Sequence, residues 1–566
     1  MIIKEKEMNN QATHLYHPEI LQVRLLPGTP FYDRQQDMNE YLRSLDPDTM
    51  LYNFRTASGL PTLGAAPMTG WDADECKLKG HTTGHYLSAL SLAYAATGDE
   101  DFGRILDRMI AGLRECQLSF EEKGKTHKGF LSAYDETQFD LLEKFTPYPD
   151  IWAPYYTLDK IMAGLLDAYE LAGKTEALEI LDPLGDWIYD RLSAIPDDQR
   201  SEMWSMYIAG EYGAMIGTLV RLHRITGKTS HLAAARLFEN PALFGQMAAG
   251  ADGLDSMHAN QHIPQIIGAL ELYAETGDSR YYDIADNFWH IVTGHHIYAI
   301  GGTGEEERFR AADAECRFLT EKTAESCASV NMLRLTGRLY EFAGEQQQTG
   351  AELMAYYERT LFNHILMSCS HRPDGGTTYF MPLAPGSRKY YEREENSCCH
   401  GTGMESRYRY MKDIFAFGDG LLRVELPVSA RLDGDEHVTV RFNDDGRITV
   451  TAEEDMTRRV AVRVPEWADA EEDNDGYLTT DRCLRAGESV TFEFPVRTEK
   501  VPAESDDTYC YVRRGPYLLA AVSDETDFIE LPDRTGNFSF DGRNFVPLYT
   551  IDGEPYHIYF RNGIRK

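Results

Sequence analysis

Glu325 and Cys327 are separated by one residue in TAESCASVNML, and seventy-one positions beyond Cys327 the chain presents an adjacent pair, Cys398 and Cys399, in NSCCHGTGMES. Three thiols and a carboxylate make a full tetrahedral donor set for zinc, which accepts soft sulfur and carboxylate oxygen and ionises the thiols that bind it. Such a site stores a thiolate nucleophile as well as a metal. The competing reading is that these cysteines are small buried hydrophobes, a common state of the free thiol. Spacing alone leaves both readings open, because E-x-C with C-C is a weaker signature than paired C-x-x-C.

Any such site needs a scaffold that brings residues 325–327 and 398–399 together. One local pattern recurs along the chain: SLAYAATGDE, LDAYELAGKT, LVRLHRITGK, LELYAETGDS and TGRLYEFAGE, each an apolar helical stripe closed by a glycine. Gly98, Gly173, Gly227, Gly277 and Gly344 fall where a helix ends in the left-handed conformation. The intervals fit helix pairs with their loops, which predicts an α/α toroid of six hairpins from about residue 15 to 420. After Gly420 the texture changes to short alternating runs such as HVTVRF, RITVTAE and SVTFEFPV, the mark of antiparallel strands. The expected organisation is an (α/α)6 barrel over residues 1–420, with a short N-terminal extension, and one β-sandwich over 421–566 as a stabilising flank. The acidic run Asp469–Asp475 reads as a solvated loop within it.

Nine cysteines, an odd number, with no apolar leader in the first residues, argue against a disulfide framework. No uncharged stretch of membrane-spanning length occurs. A cytoplasmic protein is the expectation. A net charge of −35 disfavours nucleic acid and anionic membranes and points to a small neutral substrate.

The segments GHTTGHYLSALSLAYAATGD, WAPYYTLDKIMAGLLDAYELAG, MHANQHIPQIIGALELY, IYAIGGTGEEERF, AESCASVNML, CCHGTGMES, VRVPEWA and VRRGPYLLA resemble, in this order, the motifs of the bacterial β-L-arabinofuranosidase glycoside hydrolases. The resemblance runs from about residue 15 to 520. It implies an (α/α)6 barrel followed by β-sandwich structure, one zinc held by Glu325, Cys327, Cys398 and Cys399, Cys398 as nucleophile and Glu307 as proton donor. The implied activity is exo-acting, retaining hydrolysis of a small oligosaccharide or glycoside, with a thioglycosyl intermediate on Cys398. Glu307 must then start protonated, and nearby thiolates and carboxylates are expected to raise its pKa.

His81, His85, Trp152, Tyr155, Asp159, His258, His262 and Tyr379, drawn from separate motif segments, are expected to converge at one mouth of the barrel and grip the sugar. Trp152 and Tyr155 are equally well read as rim packing. Two departures bear on specificity. Relatives carry histidine where this chain has Asp159, and a polar pair where it has Ile216 and Gly217. Another plant-derived or branched sugar is therefore an alternative substrate. A toroidal sugar epimerase or isomerase, which works through histidine pairs, and a non-catalytic carbohydrate-binding protein are the readings from other classes. The sequence leaves the oligomeric state open, a homodimer included.

Overall fold

The computed structural model describes residues 15–122, 126–343, 349–471, 475–532 and 542–563. Five long helices, His81–Thr97, Pro154–Ala172, Met215–Thr226, Ala259–Thr276 and Ser326–Tyr340, stand side by side, each touching the next. The short helix Cys398–Ser406 packs against both Ser326–Tyr340 and His81–Thr97, so it closes the ring as its sixth inner member. Outside them lie Glu100–Glu122, Ala177–Ser193, Thr229–Arg236, Ser279–His295 and Gly350–Thr360. The closing helix is covered by the helix Pro30–Ser44: Tyr41 meets His400 at 3.2 Å and Tyr408 donates to Asn39 at 2.8 Å. The sixth pair is thus assembled from the two ends of the barrel, whereas the sequence repeat predicts six consecutive hairpins.

Gly98, Gly173, Gly227 and Gly277 end their helices with φ of 70°, 66°, 70° and 71°, the left-handed cap expected of them. Gly344 lies outside the described residues. The helix His81–Thr97 is buried on nearly every side, as an inner-ring helix must be. It approaches Pro154–Ala172 backbone to backbone through Gly84 and Gly164, where a Cβ on Gly84 would collide with the main chain of Lys160. That approach draws the N-termini of both helices towards one mouth.

The strand-rich part begins earlier than Gly420 and recruits the start of the chain. Val23–Leu25 pairs with Ala430–Asp433 at the edge of a five-stranded antiparallel sheet that continues through His437–Phe442, Arg447–Ala452 and Ser489–Glu493. A four-stranded sheet (Tyr477–Thr479, Arg459–Arg463, Leu421–Val424, Phe415–Gly418) shares its apolar core and completes the sandwich. The acidic run Asp469–Asp475 includes residues 472–474, which lie outside the described residues.

A third, seven-stranded sheet over residues 498–562, which the sequence reading folds into one sandwich, packs its own core on Tyr298, Ile300, Met367 and Met381. Tyr559 accepts a hydrogen bond from the backbone of Ala299 at 2.7 Å, and Tyr556 donates to Pro382 at 2.7 Å. This sheet therefore buttresses the two segments that carry Glu307 and Tyr379.

Candidate active site

Two helix N-termini converge at one mouth of the ring. Glu325 is the N-cap of Ser326–Tyr340 and Cys327 lies in its first turn, while Cys398 and Cys399 open Cys398–Ser406 behind the cap Ser397. A helix N-terminus favours anions, so the fold delivers both pairs where ionised thiols are stabilised. Ligand atoms of Glu325, Cys327, Cys398 and Cys399 all lie within 4.8 Å of one another. Cys398 and Cys399 stand 3.8 and 3.5 Å from one Glu325 oxygen; the other oxygen is buried with no hydrogen-bond partner among the described residues. A buried, half-satisfied carboxylate beside three thiols fits a metal ion, since an unpartnered buried polar atom is otherwise costly.

The electrostatics agree. Burial and the neighbouring Cys398 hold the Glu325 carboxyl well above its ordinary range, and burial with the adjoining thiols does the same for Cys399. Cys398 is raised by its hydrogen bond with Cys327, opposed by Cys399. Burial acts to raise Cys327 too, yet hydrogen bonds from Cys398 and Cys399 outweigh it and bring it down to about 7. Four acidic groups packed this closely cannot all ionise without a cation between them. Of the four residues only Cys398, at 7% exposure, reaches solvent appreciably.

Glu307 sits beside this cluster on an unusual piece of backbone. Glu305 and Arg308 exchange both backbone hydrogen bonds (2.8 and 3.1 Å), and the two residues between them, Glu306 and Glu307, have φ of 47° and 67°. This is a two-residue hairpin turn with both central residues left-handed, a geometry that normally selects Asn-Gly. Tyr379 donates to one Glu307 oxygen and His258 Nε2 lies 3.5 Å from the other. Burial pushes the Glu307 carboxyl up, but the hydrogen bonds from His258 and Tyr379 prevail and hold it below the ordinary value. The expected upward shift is thus corrected. Two hydrogen-bond donors in direct contact with the carboxylate favour its ionised form. His258 is the mirror case: burial lowers it, while Glu307 and Glu211 more than restore it, so its pKa is raised.

The remaining residues singled out from the sequence divide. His81 and His85 each anchor Nδ1 (His81 on Leu78 O at 3.0 Å and Asp72 at 3.2 Å, His85 on Glu405 at 2.6 Å), and their buried Nε2 atoms have no hydrogen-bond partner among the described residues. Trp152 joins Trp71, ring centroids 4.9 Å apart, in an aromatic wall against the cysteines. Asp159 accepts from Thr218 at 2.7 Å and faces Lys160 at 3.3 Å on the wall of a cavity of about 90 Å³ that runs inward from Cys327 along the barrel axis. Tyr155 does not reach the mouth: its ring packs among Phe139, Trp204 and Phe238 between the helix layers, and Tyr156 takes the place beside the cysteines. His262 turns back to the carbonyl of His258 at 2.6 Å. Ile216 is core, set against Gly268, while Gly217 lines the cavity.

Sequence reasoning passed over Tyr156, Lys160, Glu211 and Glu405. The first two share a helix face with Asp159, at the i, i+3 and i+4 spacing that was available to be read. Glu211 lies in a loop with no periodicity to mark it. It accepts from Gln261 at 3.2 Å, and burial raises its pKa.

A ring of paired helices carries a carboxyl–thiol cluster at its mouth and a polar cavity behind it. The sequence matches the family described as "Beta-L-arabinofuranosidase, GH127 catalytic domain" over residues 22–412, and the chain belongs to that family of glycoside hydrolases. No curated protein sequence matches the chain. Among solved structures, a GH127 β-arabinofuranosidase superposes with a TM-score of 0.75 at 16% identity over 98% of both chains. A structure described as a glycoside hydrolase gives 0.69 at 14% identity, again over 98% of both. Ara127N, a GH127 β-L-arabinofuranosidase from Geobacillus stearothermophilus T6, gives 0.65 at 15%, covering 97% of this chain and all of its own. At these identities the likeness speaks for the fold. Among the described residues no helix is long and apolar enough to cross a membrane.

Proposed function

We propose that the protein is an exo-acting, retaining β-L-arabinofuranosidase with zinc on Glu325, Cys327, Cys398 and Cys399, Cys398 as nucleophile and Glu307 as acid and base. The observation that carries this reading is the buried Glu325 oxygen without a partner, set among three thiols at two helix N-termini. When bound, zinc keeps the thiols ionised at neutral pH.

The chain's own residues supply the rest. Cys398, the most exposed of the three cysteines, attacks the anomeric carbon through Sγ as the glycosidic bond breaks, and the leaving oxygen takes a proton from Glu307. Water, deprotonated by the same carboxylate, then attacks the carbon from the vacated side, the C–S bond breaks and the thiolate returns. Two inversions give retention. In the free protein the contact between them holds the Glu307 carboxyl below its ordinary value and raises His258 above its own. A sugar that covers the pair and ionised thiols beside it would both favour the protonated carboxyl that an acid needs. His81, His85, Trp152 and Tyr379 are proposed to hold the glycone; the Asp159–Lys160 pair on the cavity wall favours, as a second reading, a furanoside more decorated than arabinose.

The test is metal content, followed by the stereochemistry of the first product by NMR with aryl β-L-arabinofuranosides. One zinc per chain, retention, and loss of turnover in Cys398→Ser are expected. A variant that keeps more than a few per cent of the wild-type rate would remove sulfur from the mechanism.

A further inference from the structure

The proton donor fixes the direction in which the leaving group must lie. One Glu307 oxygen is taken by Tyr379, whose hydroxyl also neighbours Cys398, and the other faces His258, whose ring neighbours Tyr207; the departing half of the substrate is accordingly assigned to the Tyr207 side. Tyr207 is 50% exposed, whereas most aromatic residues among those described are buried. The Arg308 guanidinium lies 5.0 Å from its centroid, and the His258 ring is 6.5 Å away. Arg308 spends one of its five N–H groups on the Ser256 carbonyl at 2.9 Å and also hydrogen-bonds Tyr207.

This exposure is built into the backbone. The Ala209 N–H reaches back to the Tyr207 carbonyl at 2.7 Å across a three-residue turn, and the central residue, Ile208, has a φ of 61°. A β-branched residue at positive φ is strained. Strain of this kind is retained where the surrounding structure holds a group in a required position. The result is an open aromatic face, braced by a cation, directly beside the residue that follows the proton donor in sequence.

We propose that Tyr207 and Arg308 form the subsite for the leaving group, a second neutral sugar whose C–H face stacks on the Tyr207 ring and whose hydroxyls accept from Arg308. This rests on the reading of Glu307 as the acid. An aromatic ring offers a pyranose or furanose a flat apolar surface with a polar tip, and the guanidinium supplies the direction that stacking lacks.

The experiment compares an L-arabinofuranosyl disaccharide with methyl β-L-arabinofuranoside, which has the same glycone and almost no leaving-group surface, in wild type, Tyr207→Ala and Tyr207→Phe. Tyr207→Ala should lower kcat/KM on the disaccharide about tenfold or more, mostly through KM, and leave the methyl glycoside within about twofold; Tyr207→Phe should behave as wild type on both. Equal losses on the two substrates, or no loss on either, would overturn the subsite. If wild type cleaves a different glycoside instead, the same comparison is made with that sugar's disaccharide and methyl glycoside, so an error in the glycone is separated from an error in the subsite. A protein that cleaves no glycoside overturns the common premise.

Discussion

Tyr379 donates a hydrogen bond to Glu307 from a hydroxyl that also lies 3.8 Å from Cys398 Sγ. The proposed nucleophile and the proposed acid are therefore held apart by one phenol, anchored through a backbone hydrogen bond from Ser326 to the Tyr379 carbonyl at 2.9 Å. The sugar's anomeric carbon has to enter where that hydroxyl now bridges the two groups.

Tyr379→Phe keeps the ring and removes the bridge. Because the hydroxyl both orients Glu307 and stabilises its charge, kcat should fall roughly ten- to a hundredfold on a disaccharide and less on a nitrophenyl glycoside, whose leaving group needs little protonation. Glu307→Gln should show the same split more strongly. Equal losses on both substrates would assign Tyr379 and Glu307 to binding or structure.

The Glu306–Glu307 turn carries a second test. Left-handed backbone costs roughly 1–2 kcal/mol per residue outside glycine. The role proposed for Glu307 needs a carboxylate there; Glu306, exposed and paired with Lys322 at 3.0 Å, has no such role. Glu306→Asn should raise the thermal midpoint with no change in kcat/KM on an aryl glycoside, since asparagine adopts this conformation readily and an exposed ion pair contributes little. A lowered midpoint would mean that the Lys322 contact outweighs the backbone strain.

Much of this site was legible before any coordinates. The glycine-closed stripes gave the inner helices, and the carboxylate with three cysteines gave the cluster, because helix periodicity and donor chemistry are both local properties. The ring's sixth member was not legible as a helix. Cys398–Ser406 has two glycines in nine residues, and its packing explains both: a Cβ on Gly401 would strike the His85 ring, and one on Gly403 would strike Thr377. The choice of Tyr155 over Tyr156 failed for another reason. Adjacent tyrosines point about 100° apart on a helix, and only the neighbouring helices decide which one faces the axis. The lowered pKa of Glu307 was beyond reach too, for it depends on His258, forty-nine positions earlier in sequence and 3.5 Å away in space.

The barrel's stability should carry a pH signature at Glu271, which bridges Arg338 at 2.8 Å and Arg224 at 2.6 Å. Burial acts to raise this carboxyl, but the two arginines prevail and bring it from 4.5 to about 2. A depressed folded-state pKa contributes stability that is full above the unfolded value and is lost as pH falls towards the folded one. At about 1.4 kcal/mol per unit, the ionised bridge is worth roughly 3–4 kcal/mol at neutral pH. The gap in urea midpoint between wild type and Glu271→Gln should be widest above pH 5 and close as pH drops from about 4.5 towards 2. A gap that does not change with pH would show that packing of the side chain, and not its charge, is what the barrel uses.

Asp159 is expected from the sequence to grip the sugar and to bear on specificity. In the structure Lys160 stands 3.3 Å from one of its oxygens and Thr218 donates to the other. Asp159 thereby holds Lys160 on the cavity wall. Asp159→Asn keeps the shape and the Thr218 contact but leaves an ammonium without its counter-ion beside the proposed glycone site. An unpaired buried group is worth about 1–3 kcal/mol, so a substrate that supplies the missing charge should gain roughly ten- to a hundredfold. The expected outcome is a rise of that order in kcat/KM for a carboxylate-bearing furanoside relative to its neutral counterpart, with the neutral substrate little changed. If the ratio of the two specificity constants is the same in wild type and Asp159→Asn, the Asp159–Lys160 pair braces the helix and has no part in reading the sugar.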